Sequence, residues 1–421
     1  MQTQELHNLV TSVYRQSAGN LVSILTGIFG PANIELAEDV VQDALLEALK
    51  NWEQGVPDNP AAWLMRTAKN KAITILRREK YKQAFINHES FLVKQDFFQE
   101  EESEALFSES AINDDLLRMM FVCCHPELSR ESQTTLILKT LCGFSITEIA
   151  RAYLTNEATI TKRLVRARQV VRDLGIQFEL PRGNKVNERV DGVLDSIYLL
   201  FNEGYSATFG DTHIRLDICS EAIRLCRILT EHKIGKSSAG FSLISLMCLN
   251  ASRFSARTDD DGNILLLNEQ DRNLWNRALI QSGLQYLQKA ADLGIINTYY
   301  IQAAVSACHC IAPTYQQTNW QEILSLYDLL IKVDHSPVIL LNRVVAFSKV
   351  HGITSALNEL QKIAQNKALD NYYLFYAVKG ELLLENKDFI TAHDNFNKAL
   401  SLTQNKSEQK ILRDKIAKCI A

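Results

Sequence analysis

Residues 145–168 read SITEIARAYLTNEATITKRLVRAR, and this stretch decides how the whole chain is interpreted. Ser145 followed three residues later by Glu148 is a capping box, which predicts that a helix starts directly after the serine. Residues 154–156 then supply a short turn, and a second helix follows from residue 157 to about residue 173. The stretch therefore predicts two helices joined by a tight turn.

The apolar residues of this stretch define how the two helices face each other. Ile149 and Ala150 can pack against Ile160 and Leu164, which leaves the polar residues of the second helix pointing outward. These outward residues are Thr159, Thr161, Lys162, Arg163 and Arg166. A second helix with such residues in its N-terminal half can read the major groove of DNA. An ordinary helical hairpin remains the alternative, because this motif matches by chance easily.

A second basic helix is predicted from Ala61 to about Lys82. Its basic residues are Arg66, Lys69, Lys71, Arg77, Arg78, Lys80 and Lys82, opposed by Glu79 alone. Trp63 stands at its start, next to the turn-rich stretch 51–60. Basic residues neutralise phosphates, and an aromatic ring beside them can stack on an unpaired base. The alternative is a solvated helix with a buried tryptophan.

Composition indicates a mainly helical chain of two or three domains. The 421 residues include only 7 prolines and 17 glycines, and 46% are hydrophobic. The net charge of −4 does not by itself indicate a nucleic-acid partner, so the local clusters carry that inference. Predicted domains are 1–82, an acidic linker at 83–113, 114–180 and 181–421.

The last domain carries a repeat signal. Residues Tyr376, Gly380, Leu383, Ala392, Phe396 and Ala399 have the spacing of a tetratricopeptide unit, with Lys387-Asp388 as its turn. A looser copy comprises Leu340, Val344, Ala356 and Leu360. The pattern predicts an α-helical, tetratricopeptide-like repeat domain.

Three blocks of sequence together resemble the extracytoplasmic-function class of sigma-70-type RNA polymerase sigma factors. Residues 37–44 (AEDVVQDA) resemble the conserved helix of sigma region 2, and 60–70 (PAAWLMRTAKN) with Arg77-Arg78 resemble its promoter-melting helix. Residues 145–150 with 158–168 are similar to region 4. The likeness covers about the first 180 residues.

The remainder resembles one sigma subgroup that has a long tetratricopeptide-like C-terminal extension. The carrying segments are 198–205 (YLLFNEGY), 268–272 (NEQDR), 336–338 (SPV) and 341–343 (LNR). The resemblance implies an all-α fold: a region 2 helical bundle, a region 4 helix-turn-helix and the repeat domain.

The resemblance also implies a role for each matching residue. Contacts to the polymerase clamp helices would be made by Asp39, Gln42, Asp43 and Leu46. The loop from Asn51 to Asn59 would capture a flipped base of the −10 element, and the opened strand would be held by Trp63, Arg66, Asn70, Arg77 and Arg78. The −35 element would be contacted by Thr159, Thr161, Lys162, Arg163 and Arg166. Two positions depart from the family pattern: Leu154 replaces a turn glycine and Thr74 an aspartate.

These inferences predict a cytoplasmic, non-enzymatic sigma factor without cofactor or metal. Its partners would be promoter DNA and core RNA polymerase, which it would contact at the β′ clamp helices and the β flap. We expect no membrane partner. We expect the C-terminal domain to regulate the sigma core in cis, by itself or through a protein or small-molecule regulator. The alternative is that this domain only stabilises the sigma fold or binds another protein. Rival classes are a helix-turn-helix DNA-binding regulator and a repeat-based adaptor, neither engaging polymerase.

Two further features of the sequence resemble ligand sites. The groups Cys123-Cys124-His125 and Cys308-His309-Cys310 invite a zinc interpretation, but neither has a second ligand pair at a suitable spacing, which favours reduced core cysteines. The polar segment from Arg253 to Arg272 superficially resembles a calcium loop, but aligning Gly262 puts arginine at the first ligand position. A salt-bridged loop is favoured there, with a ligand or partner site as the alternative.

Overall fold

A computed structural model describes residues 3–86, 109–153, 155–206, 212–259, 265–366, 369–403 and 406–420. Within these ranges every regular element is a helix and no strand is formed, which confirms the predicted all-α fold class. The predicted acidic linker, apart from its two ends, and the turn residue Leu154 lie outside these ranges. No helix of the described ranges is long and apolar enough to cross a membrane.

The chain forms two compact units. The first comprises Met1–Ala207 with His213–Gly235, and the second comprises Thr208–Thr212 with Lys236–Ala421. The first unit thus continues past residue 181, where the sequence suggests a joint. The predicted domain boundaries separate regions by function, whereas the two units separate the chain by compactness. The boundaries therefore remain a proposal.

Nine α-helices begin in the described part of the first unit or at its edge. They are α1 Thr3–Phe29, α2 Ile34–Asn51, α3 Pro60–Ile86, α4 Glu109–Cys123, α5 Arg130–Thr140, α6 Ile146–Ala152, α7 Glu157–Asp173, α8 Val186–Ser206 and α9 Thr212–Glu231. Helices α1, α2 and α3 share one core, in which Leu21, Val40, Trp52, Leu64 and Ala68 are buried. This core fixes the exposed faces of α2 and α3.

A glycine permits the close approach of α1 to the segment that precedes α6. Gly143 has φ 69°, a left-handed conformation that residues with a side chain rarely adopt. A Cβ atom there would lie 2.9 Å from the Cβ of Ala18 on α1. Phe144, the next residue, is fully buried. The turn between α5 and α6 is therefore packed directly against α1.

The second unit is a series of helices that pack on their neighbours in sequence. They are α10 Ser238–Ala251, α11 Arg277–Asp292, α12 Thr298–Ile311, α13 Trp320–Leu330, α14 Pro337–His351, α15 Ile353–Ile363, α16 Tyr373–Glu385, α17 Phe389–Leu402 and α18 Lys406–Ile420.

The predicted repeat lies in two of these hairpins. Gly380 of α16 faces the Phe396 ring of α17, and a Cβ atom at the glycine would lie 2.7 Å from that ring. Ala392 and Phe396 are buried, as the spacing predicts. Asp388 caps α17 by accepting a hydrogen bond from the backbone N–H of Thr391. Val344 and Ala356 of the looser copy are also buried, between α14 and α15.

Candidate nucleic-acid interface

Helices α6 and α7 are each capped at the N-terminus, and the predicted apolar face of α7 is formed. The Ser145–Glu148 capping box is formed, and Asn156 caps α7 by accepting a hydrogen bond of 2.8 Å from the N–H of Thr159. Ile160 and Leu164 are buried, which confirms the predicted packing face. The remaining side of α7 is consequently available to a ligand.

Four of the five predicted DNA-facing residues on α7 are exposed. These are Thr159, Thr161, Lys162 and Arg166. An open groove is lined by Thr159, Lys162, Arg163 and Arg166 together with Ser129, Glu131 and Ser132 at the start of α5. Ser129 caps α5, so the groove also receives backbone N–H groups and the positive end of that helix. Cationic side chains beside a helix N-terminus form a suitable surface for phosphates.

Arg163 differs from its neighbours on α7. Its side chain is half-buried, donates a hydrogen bond of 3.2 Å to Thr135 on α5 and lies 5.5 Å from the Tyr153 ring centre. The Tyr153 hydroxyl in turn donates to Thr134 at 2.7 Å. The sequence placed Arg163 fully outward, because a contact made to a neighbouring helix has no local signal. Arg163 therefore contributes to the packing of α7 on α5.

Two tryptophans meet beside the start of α3. Trp63 is partly exposed and meets the buried Trp52 edge to face, with ring centres 5.6 Å apart. Asn59 caps the helix by accepting a hydrogen bond of 3.0 Å from the N–H of Ala62. Sequence reasoning missed Trp52, although its position in the turn-rich loop was a usable signal. The buried Trp52 ring thus packs against Trp63, which keeps part of its surface exposed.

The polar residues predicted on α3 lie on its exposed side. Arg66, Asn70, Arg77 and Arg78 are exposed, as is Asn51 at the end of α2. Lys69 and Lys71 are partly buried, and Lys71 forms an ion pair of 2.9 Å with Glu47 of α2. The side chains of Lys80 and Lys82 lie outside the described residues.

The four residues predicted to contact polymerase share one exposed face of α2. Asp39, Gln42, Asp43 and Leu46 recur at helical spacing, while Ala37, Val40, Val41 and Ala44 form the buried face. Leu46 has 55% of its surface exposed. The face combines two carboxylates with one apolar side chain.

Two arginines connect the helices that carry these surfaces. Arg168 of α7 forms an ion pair with Glu38 of α2, and both side chains are largely buried. Burial raises the pKa of the Glu38 carboxyl, opposed by the nearby Arg168 charge. Arg15 of α1 pairs with Glu148 at the start of α6 and, at 2.6 Å, with Asp217 of α9.

Helices α8 and α9 are tied to the same group of helices. Arg189 of α8 donates a hydrogen bond of 2.7 Å to the carbonyl of Phe121 in α4. Ser196 of α8 donates to Gln133 of α5 at 2.9 Å. Arg224 of α9 donates to the carbonyl of Leu141 at 3.1 Å. The start of the predicted C-terminal domain is therefore part of the first compact unit.

The cysteine groups are buried. Cys123 and Cys124 are buried, and burial raises the pKa of the Cys124 thiol to about 12. In the second group, burial also raises the pKa values of Cys308 and Cys310. Within the described ranges, no group of three or more His, Cys, Asp or Glu side chains is arranged to hold a metal ion.

Comparison with known families gives three matches along the chain. Residues 13–81 match Sigma-70 region 2, and residues 118–170 match Sigma-70, region 4. Residues 189–291 match a family of unknown function, DUF6596.

Comparison with individual proteins gives one relative over most of the chain. An uncharacterized protein of Rhizobium meliloti (strain 1021) is 38% identical over 382 residues, covering 90% of this chain and 89% of that protein. A tetratricopeptide repeat protein from Parabacteroides merdae ATCC 43184 shares 12% identity with a TM-score of 0.36, covering 71% of this chain and 99% of that one. The second likeness is too slight to carry an argument.

Regions 2 and 4 occur in the order and at the positions that the motifs predicted, followed by a helical extension. Sigma factors of this kind are non-catalytic and bind core RNA polymerase and promoter DNA. The chain belongs to the extracytoplasmic-function group of sigma-70-type RNA polymerase sigma factors and carries a long C-terminal helical extension.

Proposed function

We propose that this sigma factor directs promoter opening through three surfaces of its first compact unit, and that its extension controls them in cis. The observation that supports this most is the joint exposure of the predicted contact residues on α2, α3 and α7, all within the matched regions. Each surface faces away from the shared core and has the chemistry that its partner requires.

The α2 face is suited to a helical protein partner. Leu46 supplies apolar area, and Asp39 and Asp43 supply negative charge for basic residues across the interface. We assign this face to the β′ clamp helices of core polymerase. Region 4, in this assignment, also contacts the β flap.

The α7 and α3 surfaces are suited to two parts of a promoter. Lys162 and Arg166 can neutralise phosphates while the exposed threonines of α7 reach base edges of the −35 element. On α3, Trp63 can stack on an unpaired base of the −10 element beside Arg66. Unstacking a base costs a few kcal/mol, which a pocket for the flipped base offsets.

The ion pair between α2 and α7 bounds how far apart these DNA surfaces lie. Trp63 contacts Trp52, which is fourteen residues from Glu38, and Arg168 is nine residues from Thr159. These two helical segments together span about 35 Å at 1.5 Å per residue. Promoter elements about 25 base pairs apart are separated by about 85 Å at 3.4 Å per base pair. Regions 2 and 4 must therefore separate to occupy both elements.

Helices α8 and α9 support a role for the extension in that separation. They belong to the extension by sequence, yet they contact α1, α4, α5 and the turn after α5 through Arg189, Ser196, Asp217 and Arg224. Any movement of the extension that displaces these helices alters the packing of region 2 on region 4. This is the proposed route of control in cis.

Run-off transcription with purified core polymerase on a genomic promoter library tests the proposal. The forms compared are the full chain, residues 1–235 and residues 1–180, with core affinity measured for each. Specific initiation supports the sigma function, and a difference between the forms supports control in cis and gives its direction. Equal initiation with equal core affinity contradicts control in cis. Absence of both initiation and core binding contradicts the sigma function.

A further inference from the structure

Three buried polar groups without a protein partner lie in the second compact unit. Trp275 is 2% exposed, and its Nε1–H has no hydrogen-bond acceptor in the described part of the chain. The same holds for the buried Nη2 of Arg272 and Nδ1 of His309. A buried donor without a partner costs about 1–3 kcal/mol, and folded proteins leave few of them. Three together indicate a partner from outside the chain.

The three groups are neighbours. The Arg272 guanidinium lies 4.6 Å from the centre of the Trp275 ring. Its Nη1 donates to the carbonyls of His309 at 2.6 Å and Ala312 at 2.5 Å, at the end of α12. The Arg253 guanidinium lies 6.0 Å from the same Trp275 ring. Arg272 is thus fixed by ring and carbonyl contacts, with Nη2 left for a further acceptor.

The surroundings of this cluster are electropositive. Burial, and then Arg253 and Arg272, lower the pKa of His309 to about 4, so its imidazole is neutral at neutral pH. Burial also lowers the pKa of the Arg272 guanidinium, to which Arg253 and Arg277 add while Cys310 acts in the opposite direction. Cations that lower one another's pKa are stabilised in their charged form by an anion placed between them.

We propose that Arg272, Trp275 and His309, assisted by Arg253, bind the phosphate or carboxylate group of a small molecule. Arg272 Nη2 and Trp275 Nε1 donate to its oxygens, and the neutral His309 ring donates through Nδ1. Arg272 Nη2 and Trp275 Nε1 can only donate hydrogen bonds, which favours a group rich in acceptor oxygens over a metal cation. The cluster lies outside all three proposed sigma surfaces, so this inference does not depend on the proposed function.

Indole NMR of the full-length protein tests the binding directly. The chain has 4 tryptophans, and Trp275→Phe identifies the Trp275 Nε1–H signal. The probes are inorganic phosphate and citrate, each against sodium chloride of equal ionic strength. We expect a saturable shift of that signal, and the stronger probe distinguishes a phosphate from a carboxylate site. A signal that moves no more than in chloride overturns the proposal, since the donors are then satisfied by water or by this chain.

Variants test which groups hold the anion. Arg272→Lys keeps the charge but loses the second guanidinium nitrogen, and we expect at least tenfold weaker binding of the preferred probe. His309→Gln should weaken it less. Arg413→Lys makes the same chemical change at an exposed site of α18 and should bind as the wild type does. If Arg272→Lys and the wild type bind the probe with equal affinity, the assignment of Arg272 is overturned. If a variant does not fold, the NMR titration of the wild type remains the test of the proposal.

Discussion

Arg168 on the second helix of the helix-turn-helix is ion-paired with Glu38, on the helix whose exposed face we assign to polymerase. Their side chains are only 13% and 6% exposed. One atom of each, Arg168 Nε and Glu38 Oε1, has no hydrogen-bond partner among the described residues. A buried pair of this kind contributes little net stability, but it makes the removal of either partner costly. Regions 2 and 4 are thus joined by an ion pair in which each side chain depends on the other.

The first prediction concerns this pair. Arg168→Met leaves Glu38 buried without its counter-ion, so we expect a loss of about 3–5 kcal/mol in the free energy of unfolding at pH 7. Adding Glu38→Gln should restore most of it. Because burial raises the pKa of Glu38, its ionised form is the costly one, and the loss should shrink as the pH falls. Urea unfolding of the single and double variants measures this. Additive losses in the double variant contradict the coupling.

A second prediction separates two adjacent cations of α7. Lys162 is exposed, whereas Arg163 is bonded to Thr135. We expect Lys162→Ala to weaken binding of −35 DNA and lower the slope of log affinity against log salt by about 1, with no change in stability. Arg163→Ala should also reduce stability by about 1 kcal/mol. Salt-dependent DNA binding and urea unfolding measure both effects, and equal stability of the two variants contradicts the distinction.

A third prediction concerns the polymerase-facing surface. Leu46→Glu removes an exposed apolar contact and adds a charge, so we expect at least tenfold weaker binding to DNA-free core polymerase, or about 1.4 kcal/mol. Its melting temperature should be unchanged. Leu293→Glu is the matched control, because Leu293 is 47% exposed but lies in the second compact unit. Unchanged core affinity of Leu46→Glu would place the interface elsewhere on the molecule.

A fourth prediction follows from the lowered pKa of His309. The value is about 4 in the folded chain against an ordinary 6.5, so between these pH values the unfolded chain binds more protons at this residue. Stability should therefore fall as the pH drops, by about 2 kcal/mol from this residue between pH 7.5 and pH 5. The His309→Gln variant should therefore lose about 2 kcal/mol less stability than the wild type over the same pH range. Urea unfolding of both forms measures the difference, and identical pH dependence contradicts it.

Features encoded by neighbouring residues were predictable from the sequence. The capping box of Ser145 and Glu148, the packing of Ile160, and the close contact of Gly380 with Phe396 all follow from fixed spacing along a helix. The exposed face of α2 also follows from such spacing. Local signals of this kind identify helices and the sides that they present.

Contacts between distant segments were not predictable. Glu38 and Arg168 are separated by 130 residues, and nothing near either one specifies the other. The same is true of Arg272 and the carbonyls at the end of α12, where the sequence indicated only a polar loop. Such pairs depend on how helices pack, which a single sequence does not reveal. They are also the contacts on which the pairing of α2 with α7 and the proposed anion site depend.

The most direct test of this account is the distance between regions 2 and 4, measured by fluorescence energy transfer. Dyes at Lys50 and Arg172, which are exposed at the ends of α2 and α7, are less than about 40 Å apart when Arg168 is paired with Glu38, at 1.5 Å per helical residue. On core polymerase with promoter DNA, we predict that the distance increases beyond about 60 Å, since the two elements are about 85 Å apart. A transcribing complex in which the distance stays at its value in the free chain would contradict the account.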